Sequence, residues 1–174
     1  MGKSQPMIKL VVSDIDGVWT DGGFIHDDSG RVAKRFCTSD SVGVSLLRHA
    51  GIPLLIVSGE NSKATECRMK KLSIDSYSLG VKRKHAFLDK YLEEKDLRWD
   101  EVAFIGDEVN DFKILETAGF TACPKSAPDY IKEVASVTTS SAGGYGAFRD
   151  FVIELLQHEQ KFSQAWVKLL LSYE

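Results

Sequence analysis

The chain has 174 residues, 43% of them hydrophobic and 27% charged, with a net charge of −3. That length holds one α/β domain with a core of its own, and the balance of apolar to charged residues excludes a disordered chain. No apolar run reaches the roughly 18 residues of a membrane span, and charges of mixed sign exclude the basic stripe of a nucleic-acid-binding surface.

The opening "MGKSQPMIKL" lacks the apolar segment and cleavage site of a leader, and Gly2 is followed by no Ser or Thr at the myristoylation position. A cytoplasmic protein is expected. Along the chain, "IKLVVS" (8–13), "IPLLIVS" (52–58) and "EVAFIG" (101–106) are continuous apolar runs of strand length, each followed by a helix start. Between the first two, "GGFIHDDSGRVAKRF" (22–36) holds two short strand-like pieces around Asp27-Asp28-Ser29-Gly30, a hairpin turn. Helices are predicted over Ser41–Ala50, with Ser39 or Asp40 as N-cap and Gly51 past the end, over Asn61–Leu72, and over Lys84–Lys95. Asn110–Ala118 reads as a helix stopped by Gly119, "FTACP" (120–124) as a short strand, and "SAPDYIKEVA" (126–135) as a helix with Pro128 in its first turn. From Ala147, Phe148, Phe151, Val152, Leu155 and Leu156 form a helical face that Phe162, Trp166, Leu169 and Leu170 continue. Cys37, Cys67 and Cys123 have no disulfide or zinc spacing and are expected as buried small residues, and the histidines lack ligand-like spacing.

Apolar strands alternating with helices imply an α/β fold around a parallel sheet covered on both faces. In such a sheet ligands bind beyond the carboxyl ends of the strands, where Asp14, Ser58 and Asp107 fall. Asp14 and Asp16 lie two apart, so an extended backbone points them the same way, and Gly17 lets the chain approach a ligand closely. Two carboxylates so near each other need a cation, and hard oxygen donors suit Mg²⁺. "GDEVND" (106–111) adds Asp107 and, four residues on, Asp111. The predicted chemistry is a divalent metal with phosphate oxygens around it.

"DIDGVWTDG", "VSGE", a lysine near "GVKRK" and "GDEVND" resemble, in order and at the expected strand ends, the four motifs of the haloacid dehalogenase superfamily phosphatases. The resemblance covers nearly the whole chain. "DGVWTDGG" with "AGGYGAFRDF" narrows it to the small tetrameric phosphatases of 3-deoxy-2-keto sugar acid phosphates such as 3-deoxy-D-manno-octulosonate (KDO) 8-phosphate. It implies a Rossmann-like parallel sheet between helices as one domain over 1–174. It also implies that Asp14 is the nucleophile that forms an aspartyl-phosphate, and Asp16 the acid and then the base. Mg²⁺ would be held by Asp14, the backbone carbonyl of Asp16, and Asp107, with Asp111 reaching it through water or orienting the lysine. Ser58, with Gly17 and Gly59, would contact the phosphate beside a helix N-terminus, and Lys84 rather than Lys82 would neutralise the cluster.

The gaps between motifs leave no room for a cap domain, so exclusion of water would fall to a neighbouring subunit. The hairpin over 22–36 is expected to build a homotetramer, and the glycine-rich segment and helical tail over 140–174 to close the site, glycines giving mobility and Arg149 an anion contact. The octulosonate pattern is departed from at "TSDS" (38–41), at Glu60 where arginine is usual, and at Tyr145. Glu60, Arg68 and Lys71 on one helix instead resemble relatives acting on nine-carbon acid 9-phosphates. KDO 8-phosphate is the first choice of substrate, a nine-carbon acid the second, and a noncatalytic module like those fused to cytidylyltransferases the third.

Overall fold

A computed structural model describes residues 7–174; the reading made on Gly2 and its neighbours lies outside them. Eight strands and seven helices follow in chain order: β1 (Leu10–Ser13), β2 (Ile25–His26), β3 (Val32–Ala33), α1 (Asp40–Ala50), β4 (Leu54–Ser58), α2 (Lys63–Lys71), β5 (Tyr77–Leu79), α3 (Lys84–Glu94), β6 (Val102–Ile105), α4 (Phe112–Thr117), β7 (Phe120–Cys123), α5 (Asp129–Lys132), β8 (Val137–Thr138), α6 (Ala147–His158) and α7 (Phe162–Leu171). Six strands form one parallel sheet in the order β5-β4-β1-β6-β7-β8, and β2 with β3 forms a separate antiparallel pair.

The apolar runs read as strands because both faces of the sheet are covered. In β1, Val11 enters a core with Ile15, Val44, Leu47 and Phe148, whereas Leu10 and Val12 enter the opposite one with Leu55, Leu88 and Ile114. The same alternation sends Ala103 and Ile105 of β6 one way and Val102 and Phe104 the other. Helices α1, α6 and α7 cover the first face and α3, α4 and α5 the second. The strand order reverses at β1, which pairs with β4 on one side and β6 on the other, so a crevice opens beyond its carboxyl end.

The hairpin forms where expected. Asp27 Oδ1 accepts from the Ser29 amide at 3.0 Å and the Arg31 amide at 2.9 Å, and Gly30 takes φ +79°. No further domain is inserted among the described residues.

Several boundaries differ from the sequence reading. Helix α2 begins at Lys63, after the extended Ser62, so Glu60 precedes it and does not share a helix with Arg68 and Lys71. A 3₁₀ turn over Val109–Asp111 comes before α4. Pro128 precedes α5, which is a single turn. The C-terminal helical face is broken at Gln160, in the left-handed region at φ +56°, and α7 folds back on its own chain, with Ala165 and Leu169 in the first core. Trp166 and Leu170 stay outside at 40% and 50% exposure. Of the cysteines, only Cys123 is buried; Cys67 is exposed.

Candidate active site

The site begins in β1. Ser13 Oγ donates to the Asp14 carbonyl at 2.7 Å and accepts from the Trp19 indole at 2.9 Å, and Trp19, fully buried, stacks on Phe148 with ring centroids 4.2 Å apart. This chain of contacts fixes the backbone at Asp14. The turn that follows is tight: the amides of Val18 and Trp19 both reach the Ile15 carbonyl, and Thr20 Oγ1 accepts from Gly17 at 3.3 Å and Gly22 at 3.2 Å. Gly17 has φ +85°, and a Cβ there would stand 1.8 Å from Asp107 Oδ2. Only glycine fits between the first and fourth motifs.

Carboxylate oxygens of Asp14, Asp107 and Asp111 lie within 4.8 Å of one another. Lys84 Nζ, buried, bonds Asp14 Oδ2 at 2.8 Å and Asp111 Oδ1 at 2.8 Å. Asp111 Oδ2 accepts from the Asp107 amide at 3.1 Å, so Asp111 orients both the lysine and the Asp107 backbone. The electrostatics follow from crowding. Burial, with Asp111 alongside, raises Asp14 to about 7 against the pull of Lys84. Burial, then Asp14 and Asp111, raise Asp107 to about 8. Burial alone would depress the Lys84 ammonium, but Asp14 and Asp111 hold it above its ordinary value. Asp107 Oδ1 is buried without a hydrogen-bond partner. One ammonium among three carboxylates leaves negative charge in excess, and the hard oxygen donors and orphaned Asp107 Oδ1 fit a magnesium ion.

Above the cluster opens a cavity of about 380 Å³ whose walls include Asp14, Asp16, Gly17, Ser58, Gly59, Glu60 and Asp107, so most of the expected site residues converge. Lys84 and Asp111 lie beneath it, buried. Ser58 Oγ accepts from the Glu60 amide at 3.2 Å, which leaves its proton free for a ligand. With α2 starting at Lys63, the amides next to Ser58 belong to a turn and not to the expected helix N-terminus.

Three expected substrate contacts fall elsewhere. Arg68 donates to the Cys37 carbonyl at 2.8 Å. Lys71 is exposed at the end of α2. Arg149 pairs with Asp150 at 2.8 Å and lines a separate cavity of about 290 Å³.

The glycine-rich loop packs against the turn that follows β1. A Cβ on Gly143 would stand 1.7 Å from the Gly17 carbonyl oxygen, and the Gly144 amide donates to the Val18 carbonyl at 3.0 Å. Arg35 ties the loop further, 3.4 Å from the Gly144 carbonyl and 3.2 Å from Asp21, its guanidinium 4.5 Å from the Tyr145 ring centroid.

Among the residues that sequence reasoning missed are Asn110 and Lys34. Asn110 lines the cavity. Lys34 donates to both oxygens of Asp16, at 2.6 and 2.7 Å, with its ammonium 4.8 Å from the Phe24 ring centroid. Asp16 is not one of the three grouped carboxylates, and both of its oxygens are engaged by Lys34.

A family model described as haloacid dehalogenase-like hydrolase matches residues 62–147. The 3-deoxy-D-manno-octulosonate 8-phosphate phosphatase KdsC of Haemophilus influenzae is 31% identical over 156 residues, 90% of this chain and 87% of that protein. A probable YrbI family phosphatase from Pseudomonas syringae superposes with a TM-score of 0.89 at 33% identity, covering 94% and 93% of the two chains. The Moraxella catarrhalis 3-deoxy-D-manno-octulosonate 8-phosphate phosphatase, solved in complex with magnesium ion, phosphate ion and a KDO molecule, superposes with a TM-score of 0.87 at 28% identity over 96% and 94%. Likeness along almost the whole length, joined to carboxylates gathered at a strand-order reversal, places this chain in the haloacid dehalogenase-like hydrolases, among their KdsC-type phosphoric monoester hydrolases.

Proposed function

We propose that the chain hydrolyses the phosphate monoester of a 3-deoxy-2-keto sugar acid, KDO 8-phosphate first, through an aspartyl-phosphate on Asp14. The observation that carries this reading is the cluster of buried Asp14, Asp111 and Lys84 with half-buried Asp107, opening onto a cavity that Asp16 also faces. In the first step a carboxylate oxygen of Asp14 bonds to phosphorus, the phosphorus–oxygen bond to the sugar breaks, and Asp16 gives its proton to the leaving alkoxide. In the second, Asp16 takes a proton from water, the water oxygen bonds to phosphorus, and Asp14 is released as carboxylate. Ser58 and the backbone at Gly17 and Gly59 hold phosphoryl oxygens. Asp14, Asp107 and the Asp16 carbonyl would hold magnesium, which would neutralise carboxylate and phosphoryl charge. Lys84, fixed by Asp111, favours the ionised form of Asp14 and aims its carboxylate.

The functional unit we propose is a homotetramer joined through the hairpin. Phe24, Ile25 and Val32 are 42%, 65% and 38% exposed there, and a two-stranded ribbon has two unpaired edges. The open cavity would then be completed by a neighbouring subunit.

A phosphate-release panel with and without Mg²⁺ tests the activity. It contains KDO 8-phosphate, a nine-carbon keto acid 9-phosphate and hexose phosphates. Preference for a sugar acid phosphate is expected; preference for a hexose phosphate overturns the substrate class, and no release from any overturns the enzymatic reading in favour of an assembly module. Light scattering tests the tetramer, which a fully active monomer would refute.

A further inference from the structure

The hairpin that leads into Lys34 is too small to hold its own position. Its strands β2 and β3 have two residues each, all exposed, and a two-stranded ribbon is marginal by itself in water. The two residues after β3 fasten it to the turn that follows β1. Lys34, with no exposed side-chain surface, bonds Asp16 at the start of that turn, and Arg35, 48% exposed, reaches Asp21 at its end, at 3.2 Å. Asp21 is itself fixed: its Oδ1 accepts from the Gly23 amide at 3.1 Å, and Gly144 packs so closely that a Cβ there would stand 2.6 Å from the Asp21 nitrogen. The other arm of the guanidinium donates to the Gly144 carbonyl at 3.4 Å, and its carbon lies 4.5 Å from the Tyr145 ring centroid. One side chain thus joins the hairpin, the turn after β1 and the glycine-rich loop.

An exposed ion pair and an exposed cation–π contact add little to folding. What they set here is where a ribbon without rigidity of its own sits. The link also runs inward, because Thr20, fully buried beside Asp21, has its Oγ1 3.4 Å from Asp16 Oδ1. Asp16 is therefore held by Lys34 on the hairpin side and by Thr20 on the turn side, and Arg35 ties those two supports together. We infer that Arg35 is a positioning residue for the reaction: by seating the hairpin on Asp21 and Gly144 it keeps Lys34, and through it the Asp16 carboxyl, where a proton can pass to the leaving oxygen. This inference rests on the reading of Asp16 as the acid given above.

The test uses the leaving group. An alkoxide needs a proton to depart, whereas p-nitrophenolate, whose charge is delocalised, hardly does. The ratio kcat/KM covers binding and phosphoryl transfer to Asp14 and leaves out the later hydrolysis of the aspartyl-phosphate. It is measured for KDO 8-phosphate, an alkyl ester, and for p-nitrophenyl phosphate, an aryl ester, in the wild type, Asp16→Asn, Arg35→Met and Arg35→Lys, with thermal melts confirming that each variant folds. Arg35→Met is expected to lose about tenfold on the alkyl ester and no more than about twofold on the aryl ester, the pattern of a misplaced acid. Arg35→Lys, which keeps the charge but not the planar fork, should show the same selectivity with a smaller loss. Equal losses on the two esters in Arg35→Met, the mark of a merely structural role, or no loss on either overturn the inference; if that variant does not melt cooperatively, the same readings on Arg35→Lys decide. Asp16→Asn separates the two levels. Should it lose equally on both esters, the reading of Asp16 as the acid falls and this inference with it, whereas a selective loss in Asp16→Asn that Arg35→Met does not share overturns the inference alone.

Discussion

Lys34, just past the far strand of the hairpin, grips both carboxylate oxygens of Asp16, at 2.6 and 2.7 Å. The residue proposed as acid and base is therefore held by the same hairpin that is proposed to join subunits. General acid–base catalysis is worth about 10² to 10⁴ in rate, so Asp16→Asn should cost about that much. Lys34→Met should cost roughly 10- to 100-fold on its own, yet add little to Asp16→Asn, because groups acting as one unit are not additive. A double-mutant cycle on kcat checks this; fully additive losses would separate the two residues.

Magnesium should stabilise the fold strongly. A ligand at about 100 times its Kd adds about 2.7 kcal/mol, or roughly 5–10 °C in melting temperature for a domain of this size. Thermal melts with and without Mg²⁺ measure it. Asp107→Asn should remove most of the shift, since its carboxylate is the one in the cluster with an unpartnered buried oxygen.

Gly17→Ala should be inactive. Its Cβ would lie 1.8 Å from Asp107 Oδ2 at a backbone φ of +85°, so either the loop or Asp107 has to move. A loss of at least about 100-fold in kcat/KM is expected from displacement on the order of an ångström, together with loss of the magnesium-induced melting shift. Retained activity would show that the contact between the two motifs is dispensable.

Asp40 should make stability fall as pH rises. It is fully buried at the start of α1, where Oδ1 accepts from the Arg149 amide at 3.1 Å and Oδ2 has no partner. Burial lifts its carboxyl from 3.8 to about 6, opposed by that amide and by the charges of Arg149 and Arg68, and reinforced by Asp150. The folded state therefore holds the proton more tightly than the unfolded state. The stabilisation from the protonated form is complete below about pH 4, declines between about pH 4 and 6, and is gone above that; the full span is on the order of 3 kcal/mol. Urea unfolding of wild type and Asp40→Asn across pH 4 to 7 checks the sign. The difference between the two proteins should change with pH in that window, and parallel curves would contradict the assignment.

The convergence of the candidate site residues was legible in the sequence because they lie at or just past the ends of apolar strands, and strand ends in a parallel sheet converge. Asp14, Asp16, Ser58 and Asp107 needed no more than that. Lys84 and Lys82 are two apart in a basic run, and only burial in the fold separates the one under the cluster from the one at its mouth. Lys34 was not legible: β3 has two residues, too few to carry a period, and the hairpin's lean over Asp16 is a tertiary matter. Glu60, Arg68 and Lys71 were misplaced on one helix because Asn61 and Ser62 are both good capping residues, and the chain stays extended at Ser62. The glycines at 143 and 144 were read as freedom of movement. Sequence alone does not tell a glycine that must move from one that must let backbone in.

That last distinction bears on how the protein comes into being. The turn that follows Asp14 is shaped by backbone from much later in the chain, Gly143 against Gly17 and Gly144 on Val18. While a ribosome is still making the middle of the molecule, Asp14 and Asp16 have long since emerged, but the surface that finishes their turn does not yet exist. The nascent polypeptide thus carries these aspartates in an unfinished setting until residues 143 and 144 have emerged to pack against their turn.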